Sequence, residues 1–253
     1  MADLLELQGV SKSFGGVKAV DDVTFGVGAG ESVALVGPNG AGKTTLFNCV
    51  CGQLEVDEGE ILLDGRSLHG LPTFRRARLG IGRTYQRVEV FPDCTVREHL
   101  LVAERAHTRS GRLWKDLVNA SAPTAQEEEQ VREILAMVGI AHLAEVPVAA
   151  LGLGHCRLVE LARALAGSPR ILLADEPSSG LDVRETADLA AVLRMVQRDR
   201  GTAVLLVEHD LSLVGEVVDR TIVMDLGSKI AEGPFDTVMA DPVVRDAYLG
   251  SAT

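Results

Sequence analysis

No apolar run in the 253-residue chain approaches the roughly 18 residues needed to span a bilayer. The longest candidates, at 171–174 and 202–207, have only strand length. Basic residues are also in deficit: 25 Lys and Arg against 36 Asp and Glu leave a formal charge of −11. Nucleic-acid-binding domains are usually basic, so the balance argues against a nucleic-acid partner. Aromatics supply only 4% of the chain while hydrophobic residues reach 46%, so Leu, Val, Ile and Ala must build the core. Cysteine is scarce, and Cys49, Cys51, Cys94 and Cys156 form no C-x-x-C pair, which removes the common zinc and redox motifs. Buried thiols in a reducing compartment are expected. The opening Met1-Ala2-Asp3-Leu4-Leu5-Glu6 lacks the basic start and apolar stretch of a signal peptide. A soluble, cytoplasmic chain is expected.

The length suits one large α/β domain with an elaboration, or two small domains. Short strands are predicted at 4–7, 23–27, 32–36 and 60–63, with a helix at 44–50. The middle is helical. Thr95-Val96-Arg97-Glu98 and Thr124-Ala125-Gln126-Glu127 both carry the capping-box pattern. After the second, Val131, Ile134, Leu135 and Val138 mark one helix face and Gly139 a stop. The polar stretch 107–123, which holds the single Trp, is expected to be a loop or an insertion. From 158 onward helices and strands alternate: helix to 166, strand 171–174, helix 183–197, strand 202–207, helix from 211, strand 221–224. That alternation predicts a parallel sheet with the helical middle inserted within it.

Gly37-Pro38-Asn39-Gly40-Ala41-Gly42-Lys43-Thr44 fits G-x-x-x-x-G-K-[ST] directly between a predicted strand and a predicted helix. Such glycines let backbone N–H groups curl around phosphate oxygens, and the helix N-terminus favours the negative charge. Lys43 is positioned for the β- and γ-phosphates and the Thr44 hydroxyl for Mg²⁺. At 171–176 an apolar strand delivers Asp175 toward a metal and Glu176 one residue beyond. Phosphoryl transfer to water needs a group that orients or deprotonates the attacking water, and Glu176 is the candidate.

Residues 37–45 (ending in Thr45), Gln86, 171–177, Ser179-Gly180-Leu181-Asp182 and His209, in this order, resemble the ATP-binding cassette ATPases over nearly the whole chain. The resemblance implies a P-loop NTPase (RecA-like) parallel core with an N-terminal antiparallel β subdomain and an inserted helical subdomain. Residues 1–87 and 167–253 would form the β subdomain and core, and 88–166 the helical part of a single cassette. It implies ATP and Mg²⁺ as cofactors, with Gln86 sensing the metal and the attacking water, Asp182 communicating across an ATPase dimer, His209 contacting the γ-phosphate and Phe14 stacking on adenine. Taken singly, Phe14 reads as core, Gln86 as a solvated amide and His209 as a surface residue; their order and spacing promote them. Residues 78–86, 90–98, 207–211, 229–233 and 241–250 look similar to the ATPases of high-affinity branched-chain amino-acid importers. The partners implied are a second ATPase subunit (itself or a sister chain), membrane permeases and, indirectly, a substrate-binding protein. The location implied is the inner face of the cell membrane.

One departure stands out. The family's signature loop, usually Leu-Ser-Gly-Gly-Gln, is here Leu151-Gly152-Leu153-Gly154-His155. In the family this loop caps the ATP held by the other subunit, so Gly152 removes a hydroxyl donor to the γ-phosphate, which His155 could replace. The cluster Arg75, Arg76, Arg78, Arg83 and Arg87 suggests a lipid- or RNA-facing patch or, in so acidic a chain, a solvated face. A non-transport cassette ATPase of repair, translation or cluster assembly is the competing function. Repair types need a coiled-coil insertion and translation types usually a second cassette, and neither is present. A GTPase would need an Asn-Lys-x-Asp guanine reader and a kinase an acceptor lid, which are also missing.

Overall fold

The β-branched run at 32–36 becomes β3 (Ser32–Val36), with every residue buried. In the computed structural model, which describes residues 3–84, 94–107 and 122–250, β3 stands inside a six-stranded sheet. The other strands are β6 (Ile81–Arg83), β7 (Ile171–Asp175), β8 (Ala203–Val207), β9 (Arg220–Asp225) and β10 (Ser228–Gly233). Their order is β10-β9-β3-β8-β7-β6, all parallel except the β9–β10 hairpin. Parallel strands are covered on both faces, and the side chains divide accordingly. In β7 successive residues alternate between the two faces: Ile171 and Leu173 enter one core, Leu172 and Ala174 another.

A second, antiparallel sheet has the order β2-β1-β4-β5, from β1 (Leu5–Phe14), β2 (Val17–Val27), β4 (Glu58–Leu63) and β5 (Arg66–Ser67). Strands β1 and β2 run far beyond the predicted 4–7 and 23–27. Register shifts after Leu7 and after Val10 break the apolar alternation, so only the regular halves carry a strand signal. Between the two sheets lies α1 (Lys43–Cys51), whose Leu46, Phe47 and Val50 join one hydrophobic cluster with residues of both.

The opposite face of the large sheet carries α3 (Val96–His107), α4 (Ala125–Met137), α5 (Leu153–Ala166) and α6 (Val183–Arg200), sharing a second cluster with Leu172, Ala174, Val204 and Leu206. The predicted capping boxes form: Glu98 accepts from Thr95 N at 2.9 Å, and Glu127 from Thr124 N at 2.7 Å. Helix α5 begins five residues before the predicted 158, because Gly152, Leu153 and Gly154 carry no helix-start pattern and packing sets its first turn. A third cluster joins Ala34, Val36 and Val223 to α7 (Leu211–Val217), α8 (Phe235–Ala240) and α9 (Pro242–Gly250). The short α2 (Thr73–Arg78) and two 3₁₀ turns, Ala141–Leu143 and Val148–Ala150, complete the described elements. No helix among the described residues is long and apolar enough to cross a membrane. The stretch 107–123 falls largely outside the described residues, as does Arg87.

Two expectations need correction. Cys49 and Cys51 are buried, but Cys94 and Cys156 are only half-buried. The arginine cluster is a solvated face only in part: Arg75 and Arg78 are exposed, but Arg76 is 5% exposed and donates to the Cys49 and Val50 carbonyls at 2.7 and 2.9 Å, closing the C-terminus of α1. Arg83 points inward as well, toward Asp175 at the end of β7.

Candidate active site

Register decides what meets. Leu35 of β3 and Asp175 of β7 both pair with Val207 of β8, so three parallel strands end at one edge. Each strand leads directly into chemically active residues: 37–44 after β3, Glu176 after β7, and Glu208-His209 after β8. Ligands of open parallel sheets bind beyond this carboxyl edge.

In the 37–44 loop, Gly37, Pro38 and Ala41 are buried, Asn39, Gly40 and Thr44 exposed, and Thr45 half-buried. Gly42 takes φ +97°, and a Cβ there would stand 2.1 Å from the Ala19 carbonyl oxygen, so a side chain is excluded by both conformation and space. Lys43, 5% exposed, donates to the Gly37 and Pro38 carbonyls at 2.7 and 2.9 Å. Burial pulls its pKa down, and the nearby Glu176 and Asp175 carboxylates oppose that pull. The loop is also touched from the far end of the chain: Tyr248 of α9 packs in the cluster containing Val36 and takes a backbone hydrogen bond from Gly37.

Asp175 is 4% exposed, and burial raises its pKa against the pull of Arg83. The Arg83 guanidinium lies 3.6 Å from its carboxylate, bonds Asn48 Oδ1 at 3.1 Å and covers the Phe47 ring at 5.0 Å. Asp175 N donates to Thr84 Oγ1 at 3.3 Å. Gln86 lies two residues beyond Thr84, outside the described residues. Glu176 holds φ +46°, a left-handed conformation that costs a side-chain-bearing residue energy and persists only where its surroundings hold it. Its N–H is tied to the Val207 carbonyl at 2.8 Å. His209, exposed, places Nε2 3.1 Å from Glu176 Oε1.

Phe14 stands at the β1–β2 tip, 48% exposed, with Lys12 Nζ 5.7 Å from its ring centroid. A ring so exposed is not a core side chain, and its face is open to a ligand. Leu151-Gly152-Leu153-Gly154-His155 opens α5 with Gly152 as the N-cap. This loop is seated on the segment after β7. A Cβ on Gly154 would fall 2.2 Å from Glu185 Oε1, one on Gly180 2.8 Å from Leu153 Cδ2, and Arg157 donates to the Ser179 carbonyl at 3.3 Å. Asp182 is the N-cap of α6, accepting from Arg184 N and Glu185 N at 2.8 and 2.9 Å. His155 meets His142 edge to face at 6.4 Å. Arg83 enters the sequence reading only as part of the basic cluster, and Thr84 and Glu208 only within the stretches 78–86 and 207–211 that resemble one importer group. The resemblance of 241–250 to one importer group is the only signal near Tyr248.

The oxygen donors fit a hard divalent cation beside a polyphosphate: an exposed Thr44 hydroxyl at the start of α1 and a buried Asp175 carboxylate facing Lys43.

The chain is similar to known proteins along nearly its whole length. The family profile described as "ABC transporter" matches residues 20–179, and one described as "Branched-chain amino acid ATP-binding cassette transporter" matches 228–253. The chain is 38% identical over 251 residues, 98% of each chain, to the high-affinity branched-chain amino acid transport ATP-binding protein BraF of Pseudomonas aeruginosa. It is equally 38% identical, over 98% of each chain, to LivG of Escherichia coli, which bears the same description. Among solved structures, an ADP conformation of an ATP-binding cassette of an ABC transporter superposes with TM-score 0.86 at 29% identity, covering 99% of this chain and 100% of that one. A nucleotide-free cassette gives 0.84 at 29% identity, covering 98% and 99%.

Proposed function

Since the chain belongs to the ATP-binding cassette family of transporter ATPases, we propose that it is the motor subunit of a branched-chain amino-acid-type importer, acting on membrane permeases at the inner face of the membrane. A substrate-binding protein would deliver cargo to those permeases. The cassette hydrolyses ATP, the family's activity, and the proposal concerns which residues do so and what the energy drives.

The observation that carries the site assignment is the shared carboxyl edge of β3, β7 and β8, with Glu176 and His209 in hydrogen-bond contact above it. In this reading, residues 37–45 hold the phosphates of ATP, with Lys43 on the β- and γ-phosphates, and Phe14 stacks on the adenine. Glu176 takes a proton from the attacking water as the water oxygen bonds the γ-phosphorus and the bridging bond to the β-phosphate breaks; ADP and phosphate leave. His209 holds Glu176 and the γ-phosphate in one geometry. Thr44, Asp175 and Gln86 would hold Mg²⁺, which when bound neutralises phosphate charge. The loop 151–155 caps ATP on a second ATPase subunit, and Asp182 lies in the segment that meets that subunit.

Glu176→Gln should keep ATP binding while turnover falls by about 10²-fold or more, the usual cost of losing a positioned base. Lys43→Ala should instead abolish ATP-induced thermal stabilisation. Unchanged steady-state hydrolysis by Glu176→Gln refutes the site assignment. Co-purification of the tagged chain with an integral membrane protein tests the transport role, and its absence favours a non-transport cassette.

A further inference from the structure

Four hydrogen bonds converge on a carboxylate that takes no part in the hydrolysis steps. Glu208 directly succeeds β8 and is 3% exposed. Its Oε1 accepts from the Ser178 backbone N–H at 2.9 Å and from the Ser178 hydroxyl at 2.6 Å. Its Oε2 accepts from the backbone N–H groups of His209 at 2.7 Å and Asp210 at 3.1 Å. One oxygen therefore holds the turn that begins at Glu176, and the other holds the turn that carries His209.

The turn at Glu176 depends on such support. Glu176 sits at φ +46°, and its neighbours pin it on both sides: Glu176 N to the Val207 carbonyl at 2.8 Å, then Ser178 to Glu208. A buried carboxylate is costly to desolvate and persists only where donors compensate it, so Glu208 resists any rearrangement that breaks a bond to either turn. The same segment reaches the signature helix, because Arg157 donates to the Ser179 carbonyl at 3.3 Å.

We infer that Glu208 is a positioning residue: a strut that sets Glu176 against His209 and links both, through Ser178 and Ser179, to the loop capping the second ATP. The inference rests on the reading of Glu176 and His209 as the hydrolytic pair. A carboxylate is required because both of its oxygens face two donors each. An amide has one accepting oxygen, so Gln at this position must turn an N–H₂ toward one of the two turns and release it.

The test compares full-length wild type with Glu208→Gln, Glu176→Gln, His209→Ala and the Glu208→Gln/His209→Ala double variant. Single-turnover hydrolysis and steady-state kcat and KM for ATP are measured at protein concentrations where specific activity no longer rises. Displacing a reacting group by a fraction of an ångström to about 1 Å costs up to about 10²-fold, so kcat of Glu208→Gln should fall about tenfold or more. KM should stay within about threefold, because the phosphate loop makes none of these bonds. In the His209→Ala background the Glu208→Gln change should cost clearly less than in the wild type, since only the Glu176 turn is then left to place. A general destabilisation would move KM with kcat and would act equally in both backgrounds. A kcat within about twofold of wild type, a KM rise at constant kcat, or an equal loss in both backgrounds overturns the inference. Should Glu208→Gln fail to fold, Ser178→Ala removes one donor only: a fall in kcat of about threefold or more at unchanged KM supports the strut, and an unchanged kcat overturns it. Full turnover by Glu176→Gln would instead overturn the underlying site reading.

Discussion

Gly152→Ser restores the hydroxyl missing from the signature loop, and the structure separates its two effects. Gly152 is the N-cap of α5, with φ −71° and ψ 165°, and nothing lies within 4 Å of the space a Cβ would take. Serine therefore enters without strain. As an N-cap its oxygen can accept from the first-turn N–H groups, a gain of only about 0.3 kcal/mol over glycine. The hydroxyl hydrogen remains free to donate to the γ-phosphate on the second subunit. A hydrogen bond to a charged group is worth about 1.5–3 kcal/mol, so each restored contact should tighten ATP-dependent dimerisation roughly tenfold to a hundredfold, and a symmetric dimer makes the contact twice. Sedimentation velocity with ATP in the Glu176→Gln background reads the dimer, and thermal denaturation without nucleotide reads the cap. A small rise in melting temperature with unchanged dimerisation refutes the reasoning about the second site. If His155→Ala then abolishes dimerisation, His155 carries the capping contact in place of the lost hydroxyl.

Gly42→Ala should destabilise by about 2–4 kcal/mol in urea unfolding, combining a left-handed backbone with an overpacked contact. The contact is severe, since the new Cβ would stand 2.1 Å from the Ala19 carbonyl oxygen, and a loss below about 0.5 kcal/mol would contradict it. Burial pushes Cys49 up to about 11 and Cys51 up to about 12, so at about pH 8 both remain thiols and a thiolate-specific reagent should label them only on unfolding. The half-buried Cys94 and Cys156 should label first, and equal rates for all four thiols in native buffer would overturn that order.

The residues legible in the sequence are those whose chemistry is written in their immediate neighbours. The phosphate loop needs its glycines, Lys43 and Thr44 in one short run. The caps at Thr95 and Thr124 each need a partner three residues on, and both caps form as expected. Strand β7 is legible because a parallel strand buried on both faces reads as a continuous apolar run.

Tertiary structure alone decided the rest. Arg76 and Arg83 share a basic cluster in sequence, yet one closes a helix end and the other faces Asp175, because α2 and β6 place them under α1 and beside β7. Glu208 looks like any acid beside a histidine until the pairing of Asp175 with Val207 sets the Ser178 turn against it. Tyr248 reaches Gly37 from the opposite end of the chain through the packing of α9. Local motifs depend on the reach of a few bonded residues. These contacts depend on sheet register, which is selected by the burial of all the strands together.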